Sequence, residues 1–370
     1  MRIGITGQNG FIGTHLKNHL FLYKEEFEII PFDNIFFDSI VLMDEFVSQC
    51  DVIIHLAAKN RHANTNILYQ INIGLVQILI ESLIRTKSNA HVIFSSSSQE
   101  IMDNLYGDSK REGRLLFSEW ALKFNGRFTG LLIPNVFGPF GRPKYNSFIA
   151  TFCQQIINGE DVNIDKDSEV KLIYVVELIN EILIIIRKRI FSNNYIIEHT
   201  SKIKVSEVMK LLQSFNELYF HKNTIPSFNN IFELNIFNTF RSYGSLINNP
   251  VLFKQHIDER GAFVELIRLS NGGQVSFSTT NPGIIRGNHF HTRKIERFAV
   301  IKGDALIKLR RIGTSNVLEF KLSGDRPAFI DIPIWYTHNI MNIGTDVLYT
   351  VFWINEIYNT NDTDTFLNEV

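Results

Sequence analysis

Residues 2–13 read RIGITGQNGFIG: a strand-like run breaks at once into three glycines spaced three apart, then into the helical pattern FIGTHLKNHL. A strand, a glycine turn and a helix in immediate succession commit the chain to a βαβ unit, because glycine alone turns that tightly and lets the backbone approach a bound group. The strand signals FEIIPF, DVIIHLAA and HVIFSSS follow, alternating with helical stretches at 11–23 and 71–85. That order predicts a doubly wound parallel α/β sheet, extended by a further helical segment at 205–219.

The pattern changes after residue 220. Asn, Ser, Pro and Gly punctuate 221–250, which reads as a linker with one short helix, and from there short strands broken by Gly, Pro, Asn and Asp predict an all-β sandwich or barrel. The expected division is an α/β domain over 1–245 and a β domain over 246–370. A chain of 370 residues, 45% of them hydrophobic, can build two such cores. A net charge of −1 and a pI near 6.8 offer no basic excess for a nucleic acid or an anionic membrane, so neither is expected as a partner. Two distant cysteines, Cys50 and Cys153, make neither a disulfide framework nor a metal knuckle, which fits a reducing, cytoplasmic setting. No leader pattern opens the chain, and the apolar run 182–186 is too short to span a bilayer.

Gly7, Gly10, Phe11, Ile12 and Gly13 form a candidate pyrophosphate turn at a helix N-terminus. Asp33 stands 20 residues beyond Gly13 at the end of the next strand, where a carboxylate binds the ribose hydroxyls of NAD and repels the 2′-phosphate of NADP. Leu56, Ala57 and Ala58 put small groups where the adenine and pyrophosphate pass. His55 beside them reads as a core residue. Tyr106 and Lys110 lie one helical turn apart, so they share a face, and the ammonium is expected to lower the phenol's pKa toward the working range. Ser97, at the end of HVIFSSS, is the candidate donor to a substrate carbonyl, ahead of Ser96 or Ser98.

These stretches, with IPNVFGPFGRP at 133–143, resemble the extended short-chain dehydrogenase/reductase family acting on nucleotide sugars, over roughly 1–220. The resemblance implies a nicotinamide cofactor, a Ser97, Tyr106, Lys110 active site, and Asn135 and Arg142 in the segment lining the sugar pocket. Family dehydratases carry an acidic pair directly after the catalytic hydroxyl. Ser98 and Gln99 stand there here, which weighs against dehydration.

In the β-rich half, His289 and His291 fall two apart on one strand face, Glu296 follows after the turn TRK, and His338 comes from a distant strand. Three imidazoles and a carboxylate suit a divalent metal: zinc, iron, nickel or manganese, with zinc the expected ion. The spacing from Gly283 to Gly303, with His338 and Asn342, resembles the cupin family, except that Trp335 replaces the usual glycine before the last histidine, near the expected mouth of the pocket. A reductase joined to a metal cupin resembles the CapF family of capsular polysaccharide enzymes nearly end to end. That likeness implies a homodimer acting on a UDP-linked 2-acetamido-2,6-dideoxy-4-hexulose, with C3-epimerisation in the cupin and C4-ketone reduction in the other half, towards UDP-N-acetyl-L-fucosamine. It also implies NADPH, whereas Asp33 argues for NADH. A second reading stays open: a redox-neutral nucleotide-sugar 4-epimerase whose cupin is structural.

Overall fold

The computed structural model describes residues 1–244, 250–253, 255–258, 261–264, 267–269, 273–356 and 359–370. Contacts divide the chain into two units: 1–155 with 161–209, and 156–160 with 210–370.

The first unit carries β1 (Arg2–Thr6), α1 (Phe11–Phe21), β2 (Glu28–Ile30), α2 (Ile40–Gln49), β3 (Val52–His55), α3 (Thr65–Arg85), β4 (His91–Ser97), α4 (Leu105–Phe124) and β5 (Arg127–Ile133). The short β6 (Asn135–Phe137) and β7 (Glu169–Tyr174) precede β8 (Ser192–Ile196) and β9 (Ser201–Lys204). Six strands form one all-parallel sheet in the order β2-β1-β3-β4-β5-β8, and β6, β7 and β9 form a small second sheet. Successive residues such as Ile53 and Ile54, or Val92 and Ile93, are fully buried although they point to opposite faces, so helices must cover both sides. The strand order reverses at β1, which opens a crevice at the carboxyl ends of β1 and β3.

Local chemistry sets the helix ends. Asn64 caps α3 by accepting from the amides of Asn66 and Ile67, and Asn104 caps α4 through Gly107. Asn125, in the left-handed region at φ 54, stops α4. Among the described residues, α3 alone is long and apolar enough to cross a membrane. Its Val76, Leu79 and Leu83 join the core built by Phe46, Phe94, Phe117 and Trp120.

The second unit holds two five-stranded antiparallel sheets. One runs Val251–Leu252, Ala328–Ile332, Glu296–Lys302, Leu348–Ile354, Gln274–Thr280; the other runs Val317–Ser323, Asp304–Arg311, Tyr336–Asn342, Ile285–Phe290, Phe366–Leu367. Val300, Ile330 and Leu348 from the first pack with Ile307, Leu309 and Ile340 from the second in one core, the architecture of a cupin-like β domain.

The division falls at 209/210, not at the expected 245/246. The segment expected at 205–219 is an α-helix over Val205–Phe215 followed by a π-helical turn, Asn216–His221. The expected linker also belongs to the β unit. Its helix Ile231–Arg241 buries Ile236, Phe237 and Phe240 completely, each contributing roughly 1.5–3 kcal/mol. The Tyr219 hydroxyl donates to Asp331, which also accepts from Arg297 Nε at 2.7 Å, and Arg241 Nη2 donates to the Ile332 carbonyl at 3.2 Å. Residues 245–249 lie outside the described residues. A fragment spanning 210–370 is therefore expected to melt cooperatively in calorimetry, whereas one spanning 246–370 strips Tyr219 and Asn223 from the Arg297–Asp331 pair and is expected to aggregate.

Candidate functional site

The β1–α1 turn is shaped to admit a phosphate. Gly7 has φ +74, and a Cβ there would sit 2.7 Å from the Ala57 nitrogen; a Cβ on Gly13 would sit 2.3 Å from the Gly7 carbonyl. Gly10 starts α1 without a side-chain cap, and no acid occupies the first turn, so the amides of Phe11, Ile12 and Gly13 face a potential anion. Leu56 and Ala57 are pinned across the crevice through the Thr6 carbonyl (3.1 Å) and Thr6 Oγ1 (3.3 Å), with Ala58 next in line. His55 bonds the same hydroxyl through Nδ1 at 2.8 Å, and burial pushes its pKa down to about 3, which makes it the core residue expected. Asp33 is exposed just beyond β2 and accepts from the Ile35 amide at 3.0 Å.

Tyr106 and Lys110 share a face of α4, with Lys110 Nζ 5.9 Å from the Tyr106 ring centre. The expected lowering of the phenol is not what the structure holds. Burial, with Tyr145 adding to it, pushes Tyr106 up to about 12. Lys110 donates to the Ser95 carbonyl at 2.8 Å, and burial pushes it down to about 8 against the pull of Glu100. At neutral pH the pair is therefore a phenol beside a cation, an arrangement suited to giving a proton away. Ser97 Oγ accepts from the Gln99 amide at 3.1 Å, which leaves its own proton to donate. Ser96 is committed elsewhere: it donates to Glu100, a buried carboxylate held by Arg114 at 2.6 and 2.8 Å. Glu100, the acid nearest in sequence to the position where dehydratases carry theirs, is thus turned inward.

Several residues escaped sequence reasoning. A cavity of about 480 Å³ beside Tyr106 is lined by Asn60, Arg61, His62, Leu68 and Asn104, none marked by a recognisable spacing. Arg142 lies 5.1 Å from the Tyr145 ring, and Tyr145 acts on Tyr106, so Arg142 is linked to the phenol through that ring. Asn135 begins β6 and is exposed.

In the β unit, His289, His291, Glu296 and His338 converge, their ligand atoms all within 4.8 Å of one another. Nε2 of His291 and of His338 lie 3.1 and 3.2 Å from Glu296 Oε2, close to the roughly 3.3 Å edge of a tetrahedron with 2.0–2.1 Å bonds. These three buried atoms have no hydrogen-bond partner among the described residues, as atoms aimed at a cation would not. Burial would raise Glu296, but His291 and His338 outweigh it and hold the carboxyl well below its usual range. Burial, helped by His338 and His291, pushes His289 down to about 4, keeping it neutral. The two strand histidines reach one side by an unexpected route: the strand Ile285–Phe290 bulges between Gly287 and His289, with Asn288 at φ 57, and His291 lies just past its end. Trp335 is not at a pocket mouth. It is 1% exposed at φ 60, stacks on Phe290 at 5.4 Å and donates its amide to the His291 carbonyl at 2.8 Å.

Comparison with known proteins matches residues 3–197 to the NAD dependent epimerase/dehydratase family. The chain belongs to that family. Residues 256–366 match the polysaccharide biosynthesis C-terminal domain. The chain is 31% identical, over 99% of its length and 98% of the relative's, to UDP-2-acetamido-2,6-beta-L-arabino-hexul-4-ose reductase of Pseudomonas aeruginosa. Its fold matches the crystal structure of the capsular polysaccharide assembling protein CapF from Staphylococcus aureus at 32% identity over the whole of both chains, with a TM-score of 0.64. UDP-glucose 4-epimerase from Thermotoga maritima, 22% identical over 58% of this chain and 82% of its own with a TM-score of 0.50, shares the fold. The family is one that uses a nicotinamide cofactor.

Replacing Glu100 by Ala takes the buried carboxylate from Arg114, which is partly exposed and keeps its hydrogen bond to the Asn193 carbonyl. Urea denaturation is expected to show a loss of about 1–3 kcal/mol from the α/β unit.

Proposed function

We propose that this chain is a two-site nucleotide-sugar enzyme acting on a UDP-linked 2-acetamido-2,6-dideoxy-4-hexulose. The β unit inverts C3, and the α/β unit reduces the C4 ketone, on a route to UDP-N-acetyl-L-fucosamine for a surface polysaccharide. The observation that carries the reading is the likeness to the Pseudomonas reductase along both halves of the chain, each half with its own cluster of reactive side chains. A homodimer and a cytoplasmic setting accompany it on the resemblance to the CapF family.

For reduction, Gly7, Gly10 and Gly13 would hold the pyrophosphate of a nicotinamide cofactor, whose contribution would be the hydride. Ser97 donates to the ketone oxygen and orients it, Tyr106 gives that oxygen its proton as C4 becomes tetrahedral, and Lys110 offsets the charge left on the phenolate. Asp33 favours NADH, since a 2′-phosphate beside it would meet a like charge. For epimerisation, the C4 carbonyl acidifies the neighbouring C3–H, which is removed and returned on the opposite face without net redox change. His289, His291, Glu296 and His338 would hold a divalent ion, zinc the expected one, whose contribution is Lewis acidity toward an enolate oxygen. His291 is a ligand rather than the base, because its Nδ1 is held by the Asp364 carbonyl and its Nε2 faces Glu296.

With UDP-4-keto-6-deoxy-HexNAc in deuterated water, the protein is expected to place deuterium at C3 and to oxidise NADH faster than NADPH. Tyr106→Phe should lower ketone reduction by about 10²–10⁴-fold while leaving exchange intact, and His338→Ala should do the reverse. Product at the original oxidation level with retained NAD would instead establish the 4-epimerase reading. The reductive step needs both Tyr106 and Lys110 protonated. Its single-turnover rate is therefore expected to hold below pH 8 and to fall as pH rises through about 8, where Lys110 loses its charge.

A further inference from the structure

We infer that Asp364 is a positioning residue of the metal centre, orienting His291 through its carbonyl and fixing the turn between His291 and Glu296 through its carboxylate. The inference rests on the reading of that cluster as a metal site. Nδ1–H of His291 donates to the Asp364 carbonyl at 2.5 Å, which selects the tautomer whose Nε2 lone pair points at the cluster.

The carboxylate then gathers four donors. Oδ1 accepts from the Thr292 amide (3.1 Å) and hydroxyl (2.6 Å), and Oδ2 from the amides of Arg293 and Lys294 (3.0 Å each). Residues 292–295 are all that separate two ligands, so a shift in this turn moves both. Asp364 is 5% exposed at φ 40, a left-handed conformation that Asp tolerates better than most residues. Its neighbours tie the segment down: Lys294 Nζ donates to the Thr363 carbonyl at 2.6 Å, Phe366 stacks on Phe290 at 5.4 Å, and Leu367 pairs with His289. An ionised carboxylate is the group that can take all four hydrogen bonds. Asparagine would set its own amide hydrogens against two backbone N–H groups.

The test is zinc affinity of the full chain, measured by competition with a chromophoric chelator, together with the visible spectrum of the cobalt(II) form. Asp364→Asn and Asp364→Gly, the second keeping the backbone angle easy, are expected to bind zinc about 10–100-fold more weakly and to shift the cobalt bands. Their metal-free forms should still fold, as read by circular dichroism, though they melt somewhat lower because the buried donors of 292–294 lose their acceptor. Asp362→Asn, which removes an exposed partner of Arg293, should leave affinity within about threefold. Zinc affinity and cobalt bands unchanged in both Asp364 variants would overturn the proposal, as would loss of the metal-free fold in both, since Asp364 would then serve the fold. A parent that binds no zinc or cobalt at all would overturn the metal reading itself, and this inference with it.

Discussion

A charge taken out of water must find a partner or give up its proton, and each half of this chain is arranged around a few such groups. In the α/β unit, Lys110 is buried at the end of β4 and satisfied by the Ser95 carbonyl, while Glu100 is buried one turn away and satisfied by Arg114 and Ser96. The two anchors hold α4 against the strand that ends in Ser97, which is what brings a hydroxyl, a phenol and an ammonium to one edge of the sheet. In the β unit, Asp331 does the same for the 210–241 helices, and Glu296 for the histidines. Apolar packing supplies most of the stability, but these partnered charges decide which side chains face which cavity.

Much of this was legible in the sequence because short-range geometry dictates it. The glycine turn, the helical spacing of Tyr106 and Lys110, and the spacing of His289, His291 and Glu296 are properties of one or two adjacent elements. What the sequence hid depends on burial and on partners far along the chain. The pKa of Tyr106 moves up, not down, because the phenol's loss of water outweighs an ammonium 5.9 Å from its ring. The 221–250 stretch reads as a linker since its Asn and Ser residues are turn formers, yet Phe237 and Phe240 are fully buried, Phe237 against Phe215, Tyr219 and Phe228 and Phe240 against Phe220, contacts that local spacing does not reveal. Asp364 carries no motif at all, being 73 residues from the imidazole it orients.

The replacement at Trp335 shows how a local rule is overridden. A tryptophan at φ 60 costs of order 1–3 kcal/mol where glycine would cost nothing. Its ring, however, stacks on Phe290, which stacks in turn on Phe366, and its amide holds the His291 carbonyl. The strained residue and the C-terminal segment thus grip the same strand from two sides.

The four side chains of the His289, His291, Glu296 and His338 cluster come from three strands or their ends and meet only when both antiparallel sheets have closed. An ion bound there would stabilise the assembled β unit in proportion to the logarithm of its free concentration, and would do nothing for the dinucleotide-binding half. Starvation for that ion would then switch off one chemistry and spare the other. Under the proposed reading, a cell short of it would lose the inversion at C3 while the reducing half kept its fold.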